Sequence, residues 1–118
     1  MSTSFQTPIP LQQAPFSRIR DNSDAVQVLL DRTGLPAPTL VPEPDVVRVM
    51  LADIDDMAPW LAELGGEVSF YPTPGVRAWL LRTELPATRS RGAVPIEVHA
   101  LASLTQDILP TLRDAVSS

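Results

Sequence analysis

The sequence predicts an α+β fold: a four-stranded, mainly antiparallel sheet with two helices on one face, preceded by a separate N-terminal helix. Three observations carry this expectation. Val94, Ile96 and Val98 alternate with Pro95, Glu97 and His99, the period of a strand with one buried face. Leu104, Ile108, Leu112 and Val116 stand four apart, a stripe down one side of a helix. A length of 118 residues, 44% of them hydrophobic, suits one core and is too short for two comfortable ones.

Residues 1–20 are rich in Ser, Thr, Gln and Pro, and their apolar members Phe5, Ile9, Leu11, Phe16 and Ile19 define no period. They read as a flexible arm. Asp21, Asn22 and Ser23 offer helix caps before Val26, Leu29 and Leu30, and Gly34 stands where a left-handed terminator belongs, so a helix is expected within residues 21–34, from about Asp24 to Thr33. Pro36, Pro38, Pro42 and Pro44 then make residues 35–45 a stiff linker, because fixed φ and missing N–H groups oppose helix and central strand alike. Residues 46–118 are expected to form the α+β domain.

Within that domain the apolar, β-branched run Val46 to Leu51 predicts a first strand. Asp53, Asp55 and Asp56 offer caps for a helix containing Trp60, Leu61 and Leu64, which Gly65 and Gly66 stop. Glu67 to Tyr71 alternates as a second strand. Pro72 to Gly75 turns the chain into a third, Val76 to Leu85, and the fourth contains Val94, Ile96 and Val98. In the last segment Asp107 is read as a cap, which puts Pro110 in the first turn, where its absent N–H is harmless. Asp56-Met-Ala-Pro59 repeats the Asp-x-x-Pro spacing of Asp107-Ile-Leu-Pro110, and shared helix-start chemistry explains the repeat more simply than duplication.

Function classes are narrowed mainly by what is scarce. There is no cysteine, hence no disulfide, thiol nucleophile or thiolate metal site. The five glycines form no phosphate-binding pattern. All nine basic residues are arginine, as GC-rich coding favours, and the net charge of -5 argues against nucleic acid and anionic lipid as partners. Met1 to Arg20 lacks a basic stretch followed by an apolar one, and no apolar run is long enough to span a bilayer, so a soluble, cytoplasmic protein is expected.

Two motifs bear on chemistry. Asp53-Ile-Asp55 after an apolar strand resembles the opening motif of haloacid-dehalogenase-type phosphatases, which hold magnesium with such acids. Asp56-Met57 stands where Gly-Thr would follow and the chain has no lysine, so the acids are read as helix caps. His99 is the only imidazole and makes no histidine-rich metal site by itself. No catalytic residue, metal site or cofactor is therefore assigned.

The order strand, helix and three strands over residues 46–101, with Ala52 to Glu67 as helix and glycine turn, resembles one βαβββ module of the vicinal-oxygen-chelate (glyoxalase-like) fold. That resemblance implies ligands from the first and fourth strands. Glu97 or His99 fits on the fourth, while Val46 to Leu51 offers only Arg48 and apolar groups. It therefore implies a small-molecule-binding protein or degenerate enzyme as the alternative function, with a pocket between two copies near Glu97 and His99.

Charge is uneven: Asp53 to Glu67 holds five acids and no base, whereas Val76 to Gly92 holds Arg77, Arg82, Arg89 and Arg91 against Glu84 alone. With helices over the Ala78 and Leu80 face, Trp79 and Leu81 would be left bare on the other. The expected function is thus a non-catalytic interaction or regulatory protein, self-associating or meeting a protein partner through Trp79, Leu81, Arg77, Arg82, Arg89 and Arg91. A nucleic-acid accessory role through the arginines is a third reading.

Overall fold

The apolar alternation that marks the strands also decides which side of the sheet is covered. The structure, a computed structural model, describes residues 8–116. In chain order it contains α1 (Pro8–Thr33), β1 (Thr39–Pro42), β2 (Val47–Met50), a single 3-10 turn (Ile54–Asp56), α2 (Met57–Leu64), β3 (Glu67–Thr73), β4 (Val76–Leu85), β5 (Val94–Ser103) and α3 (Pro110–Ala115). The class is α+β. The sheet has five strands in the order β1-β2-β5-β4-β3, not four, and it is mixed, because β2 runs parallel to β5 while the other three pairings are antiparallel.

The extra strand comes from the proline-rich stretch expected to be a linker. β1 is a four-residue edge strand ending at Pro42, and edges and ends are where a strand tolerates proline. A turn closed by Glu43 N–H donating to the Val46 carbonyl, at 2.8 Å, returns the chain as β2.

The first helix departs further from expectation. It starts at Pro8, so of the expected arm only residues 1–7 lie outside the described residues, and Asp21, Asn22 and Ser23 sit inside the helix instead of capping it. Pro8 and Pro10 fall in the first turn, where prolines cost little, but Pro15 has no N–H to give the carbonyl four residues back. The end of α1 is as expected: Gly34, at φ 72°, donates its N–H to the Leu30 carbonyl at 2.8 Å.

Nor is α1 a separate element. Val26 and Leu29 are buried in the same apolar cluster as Val47 and Val49 of β2 and Ile96 and Val98 of β5. Asn22 adds a polar latch by donating from Nδ2 to the carbonyls of Glu43 and Pro44, each at 3.1 Å. The folded unit thus begins before residue 46.

All three helices cover one face of the sheet. α2 contributes Met57 and Trp60, α3 contributes Leu112, and each of the three is fully buried. Trp60 satisfies its indole N–H on the Pro36 carbonyl at 2.8 Å, tying α2 to the segment after α1. No charged or polar residue is buried among the described residues. The last helix is capped by Leu109, not Asp107, with Pro110 as its first residue. Asp56 holds the cap position of α2 without a side-chain hydrogen bond, so the two Asp-x-x-Pro stretches are built differently.

Sheet parity reverses one expectation. Trp79 and Leu81 share the helix-covered face with Val98 and Ala100, the residues paired with them on β5, and both are buried in the core. Ala78 and Leu80 face the bare side. A face without helices exists, as expected, but carries the other set of side chains. None of the helices is long and apolar enough to cross a membrane.

Candidate functional site

Because the side-chain period of a strand is two, pairing registers specify which residues stand side by side on the helix-free face. Five rungs cross it, and the three central ones bear on the site. The first is Tyr71, Ala78 and Leu101 on β3, β4 and β5. The second is Ser69, Leu80, His99, Met50 and Thr39, running from β3 to β1. The third is Glu67, Arg82, Glu97, Arg48 and Val41. One apolar rung and one mixed rung therefore lie beside one in which the charges alternate in sign.

The apolar part is open to solvent. Leu101 is 64% exposed, and Met50, Tyr71 and Val41 are also exposed, whereas Leu80 lies sunken between them at 5%. Met50, Tyr71, Ala78, His99 and Leu101 line a concavity of about 410 Å³, together with Leu51, Ala52, Trp79 and Ala100. Exposed apolar groups this concentrated, rimmed by charge, mark contact surfaces on proteins.

The charged rung is knit together. Arg48 donates from NH1 to Glu97 Oε1 at 3.3 Å and from Nε to Glu43 Oε2 at 3.0 Å. Arg82 approaches the other Glu97 oxygen at 3.9 Å. His99 Nε2 lies 3.2 Å from Glu97 Oε1, so the proton on that nitrogen is the one that satisfies the carboxylate, leaving Nδ1 as the acceptor in the neutral ring. An imidazole held this way can receive a donor from a ligand. The groups nearest to it are the Glu97 carboxylate, the Ser69 hydroxyl on the same rung and the Tyr71 phenol on the next.

The residues singled out in the sequence do not converge. Trp79 and Leu81 are core residues and offer no surface. Arg82 belongs to the charged rung. Arg77 lies on the opposite face, its guanidinium carbon 5.1 Å from the centre of the Phe70 ring. Arg89 and Arg91 are in the loop between β4 and β5, where Arg91 donates to the Gly92 carbonyl and lines an open cleft with Arg18, Asp21 and Asp24 of α1. The basic hairpin is thus split three ways, and the cleft beside Arg91 is as acidic as it is basic.

Asp53 performs the local task expected of it, accepting the Asp55 N–H at 3.0 Å to start the 3-10 turn. Among the described residues no three His, Asp or Glu side chains gather as a metal set. Sequence reasoning missed Met50, Tyr71, Leu101 and Val41 as a set. Their strands' parity was visible, but joining Arg48 to Glu97 requires the parallel pairing of β2 with β5, which no spacing along the chain reveals. No family model, curated protein or solved structure matches the chain.

Proposed function

We propose that this is a non-catalytic interaction protein that self-associates by pairing the helix-free faces of two copies. The observation that carries the reading is the self-complementarity of the rungs. A two-fold axis running along the strands, between β4 and β5, leaves each rung facing its own counterpart. It sets Arg82 opposite Glu97 of the second copy and Glu67 opposite Arg48, so opposite charges meet throughout. On the first rung the same axis sets Leu101 over Ala78, large against small.

Edge pairing is the competing geometry, and both edges discourage it. β1 has only four residues and ends on proline; β3 carries Pro72, and its outer side is bridged at Val68 by Val116. The four strands used in the face-to-face arrangement cover roughly 500 Å² per copy, from strand rise and spacing. That is below the ~800 Å² per partner of a standard interface and places the pairing among weak, reversible associations.

A charge exchange tests the geometry. Arg82→Glu alone and Glu97→Arg alone each bring like charges together across the axis, and each should sediment as a folded monomer where the wild type dimerises. Mixed, the two variants restore both opposite-charge contacts and should form a heterodimer. A wild type that stays monomeric at roughly 1 mM, where association is worth only about 4 kcal/mol, or two variants that do not complement, would overturn the proposal.

One observation favours a second reading, small-molecule binding in line with the glyoxalase-like resemblance. The unit from β2 to β5 is a strand, a helix and three strands in the order β2-β5-β4-β3, and its first and last strands bring Arg48, Met50, Glu97 and His99 together beside the concavity. Stabilisation by divalent ions in a thermal-shift series, lost in His99→Ala, is the result this reading expects. Absence of any such shift counts against a metal-dependent version of it.

A further inference from the structure

We infer a second binding site, on the helix-covered side, for a small apolar molecule that carries a carboxylate. Between the turn end of the β3–β4 hairpin and α3 lies a crevice of about 370 Å³, lined by Phe70, Arg77, Trp79, Ile108, Arg113 and Val116. Pockets that hold small molecules begin at roughly this size. Every charged group in the lining is a cation. Arg77 and Arg113 stand there with no acidic side chain among the lining residues, and neither forms an ion pair with another described residue.

Trp79, part of the crevice wall, also carries an orphaned donor. Trp79 is 2% exposed, and its indole N–H is the one buried side-chain polar atom among the described residues with no hydrogen-bond partner. Buried donors are nearly always satisfied, because leaving one unmade forfeits its solvation. Phe70 does not serve as a π acceptor. Its ring lies 4.9 Å from that of Trp79 with a tilt of 32°, closer to offset stacking than to the near-perpendicular approach such a contact needs. Trp60, by contrast, has its carbonyl partner.

Two guanidinium groups, set in a wall of Phe70, Trp79, Ile108 and Val116, supply donors and no side-chain acceptor. The ligand class that matches is a monoanion with oxygen acceptors at one end and an aromatic or aliphatic body at the other. Arg77, already over the Phe70 ring, is the group best held to receive the anion. The two guanidinium groups are on the face opposite the rungs; because Trp79 also lines the concavity on that other face, the Arg77 and Arg113 variants are what assign a shift to this crevice.

Phenylacetate is a suitable probe, and 2-phenylacetamide, of the same shape without charge, is its control. In ¹H–¹⁵N spectra of the full chain the two tryptophans give two indole signals, and the one retained in Trp60→Phe belongs to Trp79. A fragment of this size reaches roughly millimolar affinity. Phenylacetate should move the Trp79 indole signal downfield in a saturable way. The amide, and phenylacetate with Arg113→Gln or Arg77→Gln, should each bind about tenfold more weakly. No saturable shift by about 20 mM phenylacetate, or equal shifts from acid and amide, would overturn the assignment.

Discussion

Truncating Leu101 to alanine measures how much the proposed pairing rests on the apolar rung. Leu101 is 64% exposed in the single chain, and a fully buried leucine side chain is worth roughly 1.5–3 kcal/mol over an exposed one. Covering the exposed part is then worth about 1–1.5 kcal/mol after allowing for the methyl group that alanine keeps. The two-fold axis counts that amount twice, giving roughly 2–3 kcal/mol per dimer, or a dissociation constant raised about 30- to 150-fold. Sedimentation equilibrium over a concentration series reads the change directly. Val28→Ala is the matched control: Val28 is 65% exposed but lies on α1, away from the rungs, and its removal should leave the association constant within about twofold. Equal effects of the two substitutions would show that Leu101 contributes only general stickiness, and the axis would have to be abandoned. Intrachain stability should not move in either variant, since neither side chain is in the core.

Two further predictions concern the scaffold. Gly65 and Gly66 both have positive φ, but a Cβ on Gly65 meets nothing within 4 Å, while one on Gly66 would lie 2.3 Å from the Arg82 carbonyl oxygen and 2.9 Å from Thr83 Cβ. Urea unfolding should therefore give a loss of about 1 kcal/mol for Gly65→Ala and roughly 3 kcal/mol or more for Gly66→Ala, where the β3–β4 pairing must shift; similar losses would refute the close approach. Trp60→Phe removes the donor to the Pro36 carbonyl at 2.8 Å and should cost about 2–4 kcal/mol, from lost volume and an acceptor left unmade; a loss under about 1 kcal/mol would mean that water replaces the indole freely.

Much of the fold was legible because it rests on local signals. β4 spans the predicted residues Val76–Leu85, the glycine stops at Gly34, Gly65 and Gly66 end helices as expected, and Asp53 caps its turn. What escaped depended on contacts far apart in the chain. β1 is a strand only because β2 pairs with it, overriding the prolines around it. The early turns of α1 lack a clear apolar period, and its docking is decided by Val26 and Leu29 near its other end. Trp79, Leu80 and Leu81 are three apolar residues in succession, so alternation does not say which parity meets the helices; the Val68 and Val98 partners of Leu81 decide it. The candidate site was half visible. Glu97 and His99 were singled out as neighbours on a strand, but Arg48, which anchors them, stands 49 residues earlier and joins them through the only parallel pairing in the sheet.

The latch at Asn22 has a mechanical consequence. α1 is about 39 Å long at the standard rise, and two buried anchors, Val26 and Leu29, grip its final third. Asn22 holds the hairpin at Glu43, Glu43 holds Arg48, and Arg48 holds Glu97. The end of α1 nearest the core is thereby joined to the centre of the opposite face through three successive polar links.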